Sequence, residues 1–149
     1  MRDRPALQAV AEAVREHMYA RDAAARSLGI TVESVAPGRA RCRMQVRPDM
    51  LNGHATCHGG LIFTLADAAF AYACNTCDRV TVAMGAQITF VAPAREGDVL
   101  FADAEERSRA VRTGVYDVEV TREDGTLIAL FRGNAYETRG RVTDPADGR

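Results

Sequence analysis

Asp67 is the first residue to explain, because it lies in the run LIFTLADAAFAYA, flanked by Leu65, Ala66, Ala68, Ala69 and Phe70. An isolated carboxylate among such neighbours is costly unless it is solvated, hydrogen-bonded or neutralised. Two roles fit. One is a scaffold carboxylate that accepts backbone hydrogen bonds. The other is a base or nucleophile in a partly dry cleft. Gly59 and Gly60 stand just before the apolar run. At a helix start, unpaired N–H groups and the helix dipole favour developing negative charge, which is what carbonyl addition produces. Asn52, His54 and His58 precede the glycines in a stretch rich in turn formers and hydrogen-bonding side chains. Asn52 could orient water or substrate, and His58 could donate a hydrogen bond or fix the loop.

Spacing constrains how these groups cooperate. Asp67 follows Gly60 by seven residues, which is roughly 10 Å along one helix face. A single helix cannot bring both to one carbonyl carbon. If they act together, two antiparallel copies of the helix lie side by side, and the site needs at least a dimer.

The positioning elements follow from periodicity. Leu7, Val10, Ala11, Val14 and Met18 predict an amphipathic surface helix from Asp3 to about Ser27, with Asp3 as N-cap and Pro5 in the first turn. Ile30 to Val35, a Pro37-Gly38 turn and Ala40 to Val46 predict a hairpin, since Cys42, Met44 and Val46 alternate with Arg41, Arg43 and Gln45. The helix carrying Asp67 is apolar on nearly every side and is expected to be wholly covered. Further strands are expected over Val80 to Val91, Val99 to about Ser108, Gly114 to Thr121 and Leu127 to Tyr136, the last two joined by an Asp124-Gly125 turn. The fold class is therefore α+β, an antiparallel sheet curled around one long central helix, with an additional N-terminal helix. Residues 1–137 form one domain with an N-terminal helical extension, and 138–149 are expected to be a flexible tail.

Composition excludes several classes. The 149 residues are 47% hydrophobic and 26% charged, and every basic residue is Arg, balanced by acids to a net charge of -1, so no basic field for nucleic acid exists. The N-terminus lacks the apolar core of a signal peptide, and the longest apolar stretch is too short to span a membrane, so a cytoplasmic protein with no membrane partner is expected. Cys42, Cys57, Cys74 and Cys77 are then expected as thiols. Cys74 and Cys77 form a C-x-x-C pair, but no second closely spaced ligand pair accompanies it, so no metal is expected.

The run LNGHATCHGGLIFTLADAAFAYACN, residues 51–75, resembles the signature of the phenylacetic acid degradation thioesterases of the hotdog superfamily. QITFVAPAREGDVL, residues 87–100, resembles the strand and turn that follow the helix in that family. The likeness spans roughly residues 5 to 138. It implies a hotdog fold and hydrolysis of aryl-acyl coenzyme A thioesters such as phenylacetyl-coenzyme A and its ring-hydroxylated relatives, in phenylacetate catabolism. Asp67 matches the helix carboxylate, Gly59 or Gly60 the amide that polarises the carbonyl, and Asn52 and His58 the loop residues linked to the active site. It also implies homotetramers of hotdog dimers and no metal or separate cofactor, coenzyme A being part of the substrate. Arg107, Arg109 and Arg112 are candidates for the coenzyme A phosphates, because arginine forks suit phosphate. Two other activities use the same groove: a hotdog dehydratase or hydratase sharing acid-base work between His58 and Asp67, and a noncatalytic acyl-coenzyme A binding module.

Overall fold

The structure is a computed structural model that describes residues 3–145. Its elements run α1 (Arg4–Tyr19), α2 (Ala23–Ser27), β1 (Thr31–Ala36), β2 (Arg39–Gln45), a short 3-10 turn (Pro48–Met50), α3 (Gly59–Asn75), β3 (Thr81–Phe90), β4 (Val99–Arg109), β5 (Thr113–Arg122) and β6 (Leu127–Glu137). All six strands form one antiparallel sheet in the order β1-β2-β4-β5-β6-β3. The sheet bends around α3, as the expected hotdog architecture requires.

Alternation sets which face meets the helix. Ala40, Cys42 and Met44 of β2 are buried, as are Ala102 and Ala104 of β4, Tyr116, Val118 and Val120 of β5, and Ile128, Phe131 and Ala135 of β6. Arg39 and Arg41 face outward and pair with Glu105 and Asp103 across the β2–β4 ladder. The expected turns carry the strain that glycine relieves, with φ of +72° at Gly38 and +89° at Gly125. Inside, Phe70 packs against Tyr116 and Phe131 with ring centroids 5.5 and 5.8 Å away.

Two expectations are corrected. The N-terminal helix is not continuous to Ser27: it stops at Tyr19, and Asp22 starts a second helix by accepting the Ala25 N–H at 3.1 Å. A short Asp side chain competes with the backbone in this way and so breaks a helix that propensity alone would continue. Asp3 makes no side-chain cap bond. Second, α3 is not wholly covered. Gly60 is exposed, and Phe63, Thr64, Asp67 and Ala71 are half-buried, a stripe recurring every three to four residues along one face. Residues 138–145 of the expected tail make hydrogen bonds to residues 78 and 80. Thr138 N–H donates to Val80 O at 2.7 Å, and Thr143 and Arg141 both donate to the Asp78 carboxylate. Residues 146–149 lie outside the described residues.

The two edges of the sheet differ. On β1, Gln8 Nε2 of α1 donates to Val35 O at 2.7 Å, and Tyr19 Oη donates to Ile30 O, just before the strand, at 2.8 Å. On β3, Val82 and Met84 are 46% and 62% exposed, and no strand pairs with the outer side among the described residues.

Candidate active site

The loop before α3 is built around Asn52. Its Oδ1 accepts the N–H groups of His54 (2.9 Å) and Thr56 (3.2 Å), its Nδ2 donates to Thr56 Oγ1 at 3.0 Å, and its own N–H donates to Thr56 O at 2.8 Å. This is the local chemistry by which Asn stabilises a turn. Ala55 sits at φ +59° inside it. Cys57 N–H then donates to Ala94 O at 2.7 Å and His58 N–H to Met50 O at 2.8 Å, so the loop is anchored on both sides.

His58 is the N-cap of α3, and its Nδ1 accepts the Gly60 N–H at 3.0 Å. With Nδ1 accepting, the proton of the neutral ring is on Nε2. The Gly60 amide is thereby spent. The Gly59 N–H has no hydrogen-bond partner among the described residues. Between the two glycines named by the sequence, Gly59 carries the available amide. The contact there is close: a Cβ on residue 59 would lie 2.9 Å from Phe90 Cζ and would displace the tip of that ring. Asn52, Gly59, Ile62 and Phe90 line one groove of about 370 Å³ that contains no charged side chain.

Asp67 lies on the open stripe of α3, half-buried, and accepts no hydrogen bond among the described residues. Burial pushes its carboxyl above the usual carboxylate range, and the negative charge of Asp22 adds to the push. Asp22 is itself fixed by Tyr72, whose Oη donates to Asp22 Oδ2 at 3.0 Å. Within one chain Asp67 stands apart from the Gly59 groove, eight residues further on, or roughly 12 Å along the helix.

The structure brings Asn52 and Gly59 together and sets His58 beside them as the cap. His54 is exposed at the loop tip. Arg107, Arg109 and Arg112 are elsewhere, around the β4–β5 hairpin. Arg107 pairs with Asp117 at 3.6 Å and Arg109 with Glu137 at 3.0 Å. Arg109 and Arg112 border a small recess with Cys74, at the end of α3 opposite Gly59. The four cysteines are free, and burial pushes the Cys57 thiol up to about 11. No group of three His, Cys, Asp or Glu side chains able to hold a metal occurs among the described residues, and no helix there is long and apolar enough to cross a membrane. Sequence reasoning missed Phe90; its signal was the loss of strict alternation in TVAMGAQITFV, where apolar residues fall on both faces of the strand.

The sequence profile of the thioesterase superfamily matches residues 54–129. The chain is 45% identical over 129 residues to the acyl-coenzyme A thioesterase PaaI of Escherichia coli, covering 87% of this chain and 92% of that protein. The solved structure of the E. coli PaaI protein from the phenylacetic acid degradation operon superposes with a TM-score of 0.89 at 43% identity, covering 91% of this chain and 98% of that one. A Streptococcus mutans protein solved with acetyl coenzyme A bound superposes with a TM-score of 0.72 at 25% identity, covering 75% and 90%. With the sheet, the helix and the loop signature in agreement, the chain belongs to the thioesterase superfamily and, within it, to the phenylacetic acid degradation thioesterases.

Proposed function

We propose that this protein hydrolyses aryl-acyl coenzyme A thioesters, phenylacetyl-coenzyme A and its ring-hydroxylated relatives foremost, to the free acid and coenzyme A, in phenylacetate catabolism. The observation that carries the proposal is the pair of unsatisfied groups on α3: a half-buried carboxylate with no hydrogen-bond partner and, at the helix start, an amide with none. The E. coli relative is named for this activity, and the S. mutans structure holds acetyl coenzyme A on the same fold.

The two groups serve one thioester when a second chain lies antiparallel, so that Gly59 of one protomer faces Asp67 of its partner. The apolar, unpaired β3 edge is the surface that supports such pairing, because an edge left open and hydrophobic otherwise invites aggregation. Two such dimers make the tetramer. In the reaction, Asp67 takes a proton from water as the water oxygen bonds to the thioester carbon. The carbonyl oxygen becomes an oxyanion held by the Gly59 N–H. Collapse of the tetrahedral intermediate breaks the C–S bond, and the departing thiolate takes the proton from Asp67. The raised proton affinity of Asp67 strengthens it as a base. Water is the only co-reactant this chemistry asks for, and the free cysteines suit a cytoplasmic setting.

The test is thiol release from phenylacetyl-, 4-hydroxyphenylacetyl-, acetyl- and hexanoyl-coenzyme A, followed with a thiol-reactive dye. Release is expected, fastest from the aryl-acyl substrates. No release from any of them, or interconversion of crotonyl and 3-hydroxybutyryl thioesters instead, contradicts the proposal.

A further inference from the structure

We infer that Phe90 sets the preference for an aromatic acyl group, a role that rests on the thioesterase reading above. Phe90 is the last residue of β3 and is paired with Ala129 of β6, so its position is fixed by the sheet and not by a mobile loop. The chain beyond it is held as well, Val91 N–H and Ala92 N–H both donating to Ile128 O. Its ring tip comes so close to the start of α3 that a side chain at residue 59 would push the ring aside: Cζ lies 2.9 Å, and Cε1 and Cε2 3.3 Å, from where a Cβ would stand. Yet Phe90 stays 52% exposed. Phe90 lines the uncharged groove that also contains Asn52 and Gly59.

An aromatic ring is thus seated directly against the backbone that presents the unpaired Gly59 amide. A thioester whose carbonyl oxygen accepts that amide has its acyl group at the wall formed by Phe90. The groove has no cation for the phosphates of coenzyme A, so it suits the uncharged acyl end of the substrate. A phenyl group there gains an offset or edge contact with Phe90 that an alkyl chain does not, and such contacts are worth about 3- to 10-fold in affinity.

The experiment compares kcat/KM for phenylacetyl-coenzyme A with kcat/KM for hexanoyl-coenzyme A in the wild type, Phe90→Ala and Phe90→Tyr. Phe90→Ala is expected to lower the aryl-to-alkyl ratio by about 3- to 10-fold, chiefly through KM for the aryl substrate, and Phe90→Tyr to keep the ratio. An unchanged ratio in Phe90→Ala, or an equal fall for both substrates, overturns the assignment. The same ratio is read without turnover by calorimetry with 2-phenylethyl- and hexyl-coenzyme A thioethers. Wild-type binding with the expected Phe90→Ala change but no hydrolysis supports Phe90 while removing the enzymatic reading. Absence of binding of either thioether overturns the Phe90 assignment as well.

Discussion

Asp67 in the middle of α3 and Asp78 in the turn after it are both carboxylates drawn into the protein, and they are treated in opposite ways. Asp78 is only 4% exposed. Burial works against its charge, but the N–H and Oγ1 of Thr143 and the guanidinium of Arg141 all donate to it and outweigh that cost, so its carboxyl is held below the usual range. Asp67 has less of its surface hidden, yet nothing donates to it and its carboxyl is pushed up. A scaffold carboxylate is saturated by its surroundings. Asp67 has no such donors among the described residues, as the proposed base requires.

The sharpest way to break this contrast is substitution at both positions. Asp67→Asn is expected to lower kcat by about 10²- to 10⁴-fold, the range of general acid-base catalysis, while the melting temperature stays level or rises. A large loss of stability in Asp67→Asn would make it a scaffold residue like Asp78. Asp78→Ala is expected to cost about 1–3 kcal/mol in denaturant unfolding, because it removes three part-buried hydrogen bonds, with kcat of the folded protein retained. Arg141→Ala should cost about 1 kcal/mol or less, since that side chain is mostly exposed.

The pH dependence separates the two with opposite signs. Asp67 must be ionised to act as base, so kcat is expected to fall as pH drops through a value above the ordinary 3.8. For stability, the unfolded chain releases the Asp67 proton near 3.8 while the folded chain still holds it, so stability is lost as pH rises from 3.8 to the raised value. Any stability advantage of Asp67→Asn at neutral pH therefore disappears below 3.8. The folded carboxyl of Asp78 ionises below 3.8, so its contribution is complete above 3.8 and is lost as pH falls through the lowered value. Unfolding midpoints of the wild type and both variants from pH 3 to 8 resolve the two trends.

Much of this was legible in the residues. Alternation gave β2 because it has one face on α3 and one in solvent, and the β1–β2 and β5–β6 turns declared themselves through Gly38 and Gly125. The break between α1 and α2 was not legible, because it depends on Asp22 meeting both the Ala25 N–H and, fifty residues away, Tyr72. The open stripe on α3 was hidden for a related reason: Ala71 and Phe63 are as apolar as the covered residues, and only the three-dimensional course of the sheet shows which face it leaves bare. The sequence pointed to both glycines as amide donors. Choosing between them needed the His58 Nδ1 contact, which removes Gly60 from the choice. Phe90 escaped notice because an aromatic at a strand end resembles core until its distance to Gly59 is known.

The central claim is that each site joins Asp67 of one protomer to the Gly59 amide of its partner, and coexpression of two inactive chains tests it most directly. Asp67→Asn removes the carboxylate. Gly59→Pro removes the amide at the first helical position, where proline suits the backbone and the Phe90 ring, half-exposed, has room to swing aside. Random pairing of equal amounts makes half the dimers mixed, and each mixed dimer has one intact site of two, so about a quarter of wild-type activity is predicted to return. Mixed dimers that form but release no thiol would contradict the shared site, because a site contained within one chain has no intact copy in any of them.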